Sequence, residues 1–134
     1  MKIILLADDA IRLVPEPGPM TIEARSADQP YSPFHMLASG LALCTFSILH
    51  SWAETTRLSA DDLEVEIGWT FVEDPHRIGA LTVSLEWPAL PPDRVAAARR
   101  VAALCAVHAT LHHPPEIAIM LAEGEAPAPT AEGR

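Results

Sequence analysis

The sequence predicts an α+β domain, and the order of its elements is what predicts it. Short strand-like segments come first, one long uncharged helical run follows, and two strongly alternating segments precede a second helix. The elements do not alternate strand and helix as a doubly wound parallel sheet requires. A length of 134 residues suits one domain.

Lys2–Leu6 and Ala10–Val14 read as two short strands joined at Asp8-Asp9. Pro15, Pro17, Gly18 and Pro19 then break the chain, and Met20–Arg25 alternates apolar and polar residues as a third strand does. Ser26–Ser32 is a polar linker. Ser32-Pro33 starts a helix, because the Ser hydroxyl can accept from an unpaired N–H and Pro fits the first helical position. This helix runs to about Thr56 and is apolar almost all round, which predicts burial on most sides. Its small residues Ala38, Ser39, Gly40 and Ala42 allow another backbone to approach. Gly40 costs about 1 kcal/mol relative to Ala inside a helix, so a packing reason is expected for it.

Leu63, Val65, Ile67, Trp69 and Phe71 alternate with Glu64, Glu66, Gly68 and Thr70. Leu81, Val83, Leu85 and Trp87 alternate with Thr82, Ser84 and Glu86. The two segments should pair as a long hairpin with one face to bury. Pro88–Pro92 ends it, and a second helix is predicted from Asp93 to about His112, with Asp93 at the positive end of the helix dipole. Arg94, Arg99 and Arg100 fall on its outer side. Pro114-Pro115 stops it, and Ile117, Ile119 and Leu121 suggest a last strand. Residues 1–122 are then one domain, and Glu123–Arg134, rich in Ala, Pro and Glu, reads as a disordered tail.

The chain is acidic, with 18 Asp and Glu against 9 Lys and Arg and a formal net charge of −9. The cations are scattered, so no basic stripe exists to follow a phosphate backbone, and a nucleic-acid partner is not expected. Between Asp28 and Glu54 lie 25 residues without Asp, Glu, Lys or Arg. About 20 apolar residues suffice to span a bilayer. However, the run holds Gln29, His35, His50 and several Ser and Thr, so a buried helix is expected and no membrane partner. The apolar run after Lys2 is too short for a signal peptide. A cytoplasmic setting follows as the expectation, with thiols kept reduced.

Two cysteines remain, Cys44 and Cys105, each in an apolar predicted helix. Free Cys often packs as an inert small hydrophobe. His108, three residues after Cys105, falls on the same helical face, and a nearby imidazolium lowers a thiol pKa. The segment from Pro33 through Gly40-Leu41-Ala42-Leu43-Cys44-Thr45 resembles the first signature of the OsmC/Ohr family. Cys105-Ala106-Val107-His108-Ala109-Thr110-Leu111 resembles its second motif, usually Cys-Pro-Val-His followed by Thr-Leu. Leu63–Glu66 stands where that family has a strand after the first cysteine helix.

The resemblance covers about residues 18–121. It implies an OsmC-like fold: two central cysteine-bearing helices packed on antiparallel sheets in an obligate, intertwined homodimer. It also implies a thiol peroxidase of oxidative stress defence that needs no cofactor. Cys44 would attack an organic hydroperoxide and become a sulfenic acid, Cys105 would condense with it to a disulfide, and a dithiol reductant would reopen that bond.

The chain departs from this pattern at three points. The family Glu, nine or ten positions before the first cysteine, is replaced by Phe34 and His35. His35 could act as base or donor, or simply cap the helix. Arg25, at the end of the third strand, is the candidate for the family Arg. Ala106 replaces the proline of the second motif. Two other readings stay open. Cys105, His108 and His112, with Cys44, His35 or His50, could form a mixed thiolate and imidazole zinc site. A non-catalytic dimer could hold a small apolar ligand, lined by Trp52, Trp69 and Trp87.

Overall fold

The computed structural model describes residues 1–122 and 128–129. The predicted hairpin is present: β4 (Glu64–Val72) and β5 (Arg77–Glu86) pair antiparallel, with Val65 opposite Leu85 and Ile67 opposite Val83. Gly79 lies so close to Val72 that a Cβ there would sit 2.4 Å from Val72 Cγ1, so near the turn the two strands approach more closely than a side chain allows.

β1 (Lys2–Ala7) and β2 (Ala10–Val14) form a second antiparallel pair, and β2 joins β4. The third strand, β3 (Thr21–Ala24), pairs parallel to β1 rather than continuing a meander. The sheet order is β3-β1-β2-β4-β5. Period-two alternation divides its faces. Ile3, Leu5, Ile11, Leu13, Val65, Ile67 and Trp69 are all buried on one side. On the other, Arg12 reaches Glu66 at 2.8 Å and Glu64 at 3.3 Å, while Lys2 meets Glu16 and Glu23.

Helix α1 (Pro33–Thr56) crosses the apolar face of this sheet. It is long and apolar enough to cross a membrane, but one face is built into the domain through His35, Ala38, Leu41, Ala42, Thr45, Phe46, Leu49 and Ala53. The expectation of burial on most sides is corrected. Met36, Leu37 and Leu43 are exposed, and nothing lies within 4 Å of a Cβ built on Gly40. The sheet and the following short helices cover only one side of α1.

The start of α1 follows Ser32-Pro33 as predicted. Ser32 Oγ accepts from the His35 N–H at 3.3 Å, and the Ser32 N–H donates back to His35 Nδ1 at 3.2 Å, a reciprocal cap. His35 Nε2 lies 2.9 Å from the Ala7 carbonyl, which can only accept. The ring is therefore the neutral tautomer with its proton on Nε2. It packs edge-on against Trp69 and is 2% exposed. Of the two roles read for His35, the structure displays the cap: both ring nitrogens are engaged in fixing the helix start to the β1–β2 turn.

The second predicted helix, from Asp93 to His112, is corrected to three pieces. A 3-10 turn at Pro92–Arg94 leads into α2 (Val95–Ala102), and a break precedes α3 (Ala106–His112). The last predicted strand shrinks to β6 (Ala118–Ile119), paired with β7 (Ala128–Pro129). Ile117, Ile119, Met120 and Leu121 are exposed. The tail predicted at 123–134 lies outside the described residues except for the two of β7.

Replacing His35 by Ala removes its part-buried hydrogen bonds to the Ala7 carbonyl and the Ser32 N–H. A loss of about 1–3 kcal/mol is expected. Urea unfolding checks this, and a variant as stable as the parent would show that the imidazole does not anchor the helix.

Candidate active site

Cys44 sits at the middle of α1 on a half-buried flank, and Cys105 is 1% exposed. Cys105 is not inside a helix. It has extended backbone, φ −58° and ψ 134°, and caps α3. That turn points its sulfur back over the helix start, where Sγ accepts the His108 N–H at 3.4 Å. Its carbonyl accepts the Ala109 N–H at 3.0 Å.

The first N–H groups of a helix have no partner within it. The third and fourth of α3 are taken by Cys105. The first two, from Ala106 and Val107, act together with the Cys105 side chain on the Cys44 thiol, and Val107 acts on Cys105 as well. The two thiols therefore share one site between the middle of α1 and the start of α3.

Their environments push the thiols apart. Burial alone would raise Cys44. The Cys105 side chain and the N–H groups of Val107 and Ala106 outweigh it, and hold the Cys44 thiol below its ordinary pKa. Burial pushes Cys105 up, and the neighbouring Cys44 pushes it further. The N–H groups of His108 and Val107 offset only part of this. Of the two, Cys44 is the more acidic thiol.

The other predicted site residues divide. His108 is brought to the pair, but through its backbone N–H; its ring stacks on His112 with centroids 4.5 Å apart. His35 is committed to Ser32 and Ala7, away from the sulfurs. Arg25 follows β3 at the opposite edge of the sheet from β5, is exposed, and is not among the groups acting on either thiol. Among the described residues no three His, Cys, Asp or Glu side chains converge on a metal position, so the zinc constellation is not assembled. Trp69 is core. Trp52 packs edge-on against Trp87, whose Nε1 donates to the Ser59 carbonyl at 2.9 Å.

A cavity of about 620 Å³ opens between α1, β5 and α3, and neither cysteine lines it. Phe34, Leu37, Leu41, Leu81 and Val83 give it apolar walls, and His108 closes the side nearest Cys105. Leu81, Val83 and Leu85 on the inner face of β5 are only half-buried because α1 does not extend over them.

The profile of the OsmC-like protein family matches residues 26–120, a span containing both cysteines. The chain belongs to the OsmC-like family. Its fold is similar to that of an OsmC-like hydroperoxide resistance protein from Jannaschia sp. CCS1, with a TM-score of 0.59 at 19% identity over 79% of this chain and 75% of that one. It is also similar to a protein from Psychrobacter arcticus 273-4 assigned to the osmotic stress induced and detoxification response proteins. There the TM-score is 0.57 at 16% identity, over 81% and 84% of the two chains. No curated sequence relative matches the chain.

Within the OsmC-like pattern, the structure gives meaning to one departure that the sequence reading recorded only as a loss. A proline after Cys105 would have no N–H. Ala106 has one, and it contributes to lowering the Cys44 thiol. The residues missed by the sequence reading are thus backbone groups, and the Cys-Ala in place of Cys-Pro was the signal for them.

Ala106→Pro tests this. Proline suits the first helical position, and the extended Cys105 backbone suits the residue before it. Folding should survive while the Cys44 pKa rises, seen as an upward shift of the thiolate absorbance titration. An unchanged titration would show that this N–H does not support the thiolate.

Proposed function

We propose that this OsmC-like protein is a thiol peroxidase that reduces organic hydroperoxides in oxidative stress defence. Family membership supports a peroxidase-type role in general. The observation that carries the finer reading is the unsymmetrical thiol pair, with Cys44 lowered and Cys105 raised at one shared site. The thiolate is the nucleophilic form, so Cys44 is the attacking residue and Cys105 the resolving one.

The Cys44 thiolate attacks the terminal oxygen of the hydroperoxide. The O–O bond breaks, an alkoxide leaves and takes a proton to become the alcohol, and Cys44 becomes a sulfenic acid. The Cys105 thiol then displaces the sulfenic hydroxyl, which leaves as water, and an S–S bond forms. A dithiol supplies two electrons and two protons to restore both thiols. The apolar walls of the 620 Å³ cavity favour organic over hydrogen peroxide.

The homodimer belongs to the same proposal. Met36, Gly40 and Leu43 form an open stripe on α1, and Ile117, Ile119, Met120 and Leu121 are uncovered beside β6. A second copy packed across this stripe would bury both groups. The proposed setting is the cytoplasm, where reducing conditions reset the pair.

Turnover of cumene hydroperoxide with dithiothreitol should fall to background in Cys44→Ser. Cys105→Ser should instead accumulate a sulfenic acid that dimedone traps, with no intramolecular disulfide. Turnover surviving Cys44→Ser would remove the mechanism. It would leave the cavity as a plain ligand pocket. Sedimentation should give twice the 14.5 kDa chain mass; a monomer at micromolar concentration would remove the dimer.

A further inference from the structure

We propose that α2 and the turn after it form the docking face for an acidic protein that carries the reducing dithiol, with Arg99 and Arg100 as its charged contacts. That the partner is the reductant rests on the peroxidase reading; the face itself rests on charge and exposure.

The cations of the chain are scattered, but its carboxylates are not. Between Glu86 and Glu116 stands a single carboxylate, Asp93, against Arg94, Arg99 and Arg100, a formal charge of +2 in a chain of −9. His108, His112 and His113 lie in the same stretch. The ion pairs among the described residues involve Lys2, Arg12, His50 and His76, and none reaches these three arginines. All three are exposed. Glu16, Glu23, Glu64, Glu66 and Glu86 gather instead on the outer sheet face, around Lys2 and Arg12. Helices α2 and α3 pack on α1, which covers the inner face. The molecule is therefore polarised, acidic on the outer sheet face and cationic on the helical side. Such a field repels an acidic protein from most directions and orients it toward the helices.

The same surface roofs the thiol site. The Ala103 N–H donates to the Arg99 carbonyl at 3.2 Å and the Leu104 N–H to the Val101 carbonyl at 3.0 Å, so the winding continues past α2. Leu104 follows Arg100 by four residues, falls on the same side of the winding and is 70% exposed. Ala103, Leu104 and Ala106 are exposed, and Cys105 among them is buried. Cys105 thus lies directly beneath a surface that offers guanidinium groups and one uncovered leucine. A guanidinium gives a carboxylate a planar, two-point contact. An acidic partner seated there holds its dithiol above the Cys44–Cys105 disulfide. One of its thiolates attacks that S–S bond, which breaks to leave a mixed disulfide. Its second thiol then attacks the mixed disulfide, and the partner leaves with a disulfide of its own. Two electrons pass to the pair, and the two protons of the dithiol end on Cys44 and Cys105.

Two synthetic peptides with the same Cys-Gly-Pro-Cys dithiol, one flanked by Glu and the other by Lys, test the face on the intact protein oxidised with diamide. At low ionic strength the Glu peptide should reduce the Cys44–Cys105 disulfide about tenfold faster than the Lys peptide, and salt should erase the difference. In the double variant Arg99→Glu/Arg100→Glu the order should reverse. Dithiothreitol, which has no docking segment, should reduce parent and variant at one rate. A fluorescent Glu peptide with Ser in place of both Cys should bind the reduced parent saturably and the double variant about tenfold more weakly. Equal rates for the two peptides on the parent, a Glu-peptide advantage that persists in the variant, or equal binding of the fluorescent peptide would overturn the face. Sedimentation with phosphatidylserine vesicles that depends on Arg99 and Arg100, without saturable peptide binding, would give the face to a membrane and overturn the partner. A protein that turns over no cumene hydroperoxide yet binds the Glu peptide through Arg99 and Arg100 would remove the peroxidase reading and leave the docking face standing. If diamide yields no Cys44–Cys105 disulfide, the reductant role falls.

Discussion

Packing of one face of α1 against the sheet is the constraint on which the site depends. Ala38, Leu41, Ala42, Thr45, Phe46 and Leu49 are committed to the core. Helical geometry then places Cys44 on the flank of that face, turned toward the chain that returns over the helix. The ends of α1 fix its register. His35 ties the start to the β1–β2 turn. Arg57, at φ 59°, closes the other end with its N–H on the Ala53 and Glu54 carbonyls. A slide of α1 by one residue would rotate Cys44 by about 100° and carry it away from α3.

The second constraint is the break before α3. If the chain stayed helical from Asp93 to His112, every early N–H of the α3 segment would be bonded one turn back. Cys44 would then keep only the Cys105 side chain to offset burial. The break frees those N–H groups, and those of Ala106, Val107 and His108 act on the two sulfurs. In this chain Cys44 is lowered by the Cys105 side chain and by backbone dipoles. The dipoles lose no side-chain entropy when they point at a thiolate.

Much of the fold was legible in the sequence because the signals were local. Alternation from Leu63 to Phe71 and from Leu81 to Trp87 specified the hairpin, and Ser32-Pro33 specified the start of α1. The misreadings share a physical cause, which is dependence on distant partners. Val101-Ala102-Ala103-Leu104 contains no residue that stops a helix, and Ala106 hides a break that a proline would announce. The break exists because Cys105 is drawn into the core and caps α3. The parallel pairing of β3 with β1 is likewise set by what lies alongside. The uncharged surface of α1 read as burial on most sides, whereas one chain covers a single face. At the site, the two cysteines were legible from their motifs. The candidate side chains His35, Arg25 and His108 were sought for charge, whereas the groups that act on Cys44 are the Cys105 side chain and N–H donors that have no side-chain signature.

The central claim is that Cys44 and Cys105 differ in acidity although they share one site. Competitive alkylation with iodoacetamide across a pH series, read at each cysteine by peptide mass spectrometry, tests it most directly. Cys44 should be labelled first, with a midpoint below that of an ordinary thiol, and Cys105 should lag with a midpoint above it. Equal labelling of the two, or Cys105 ahead of Cys44 in the intact protein and in a Cys44→Ser control corrected for access, would contradict the account.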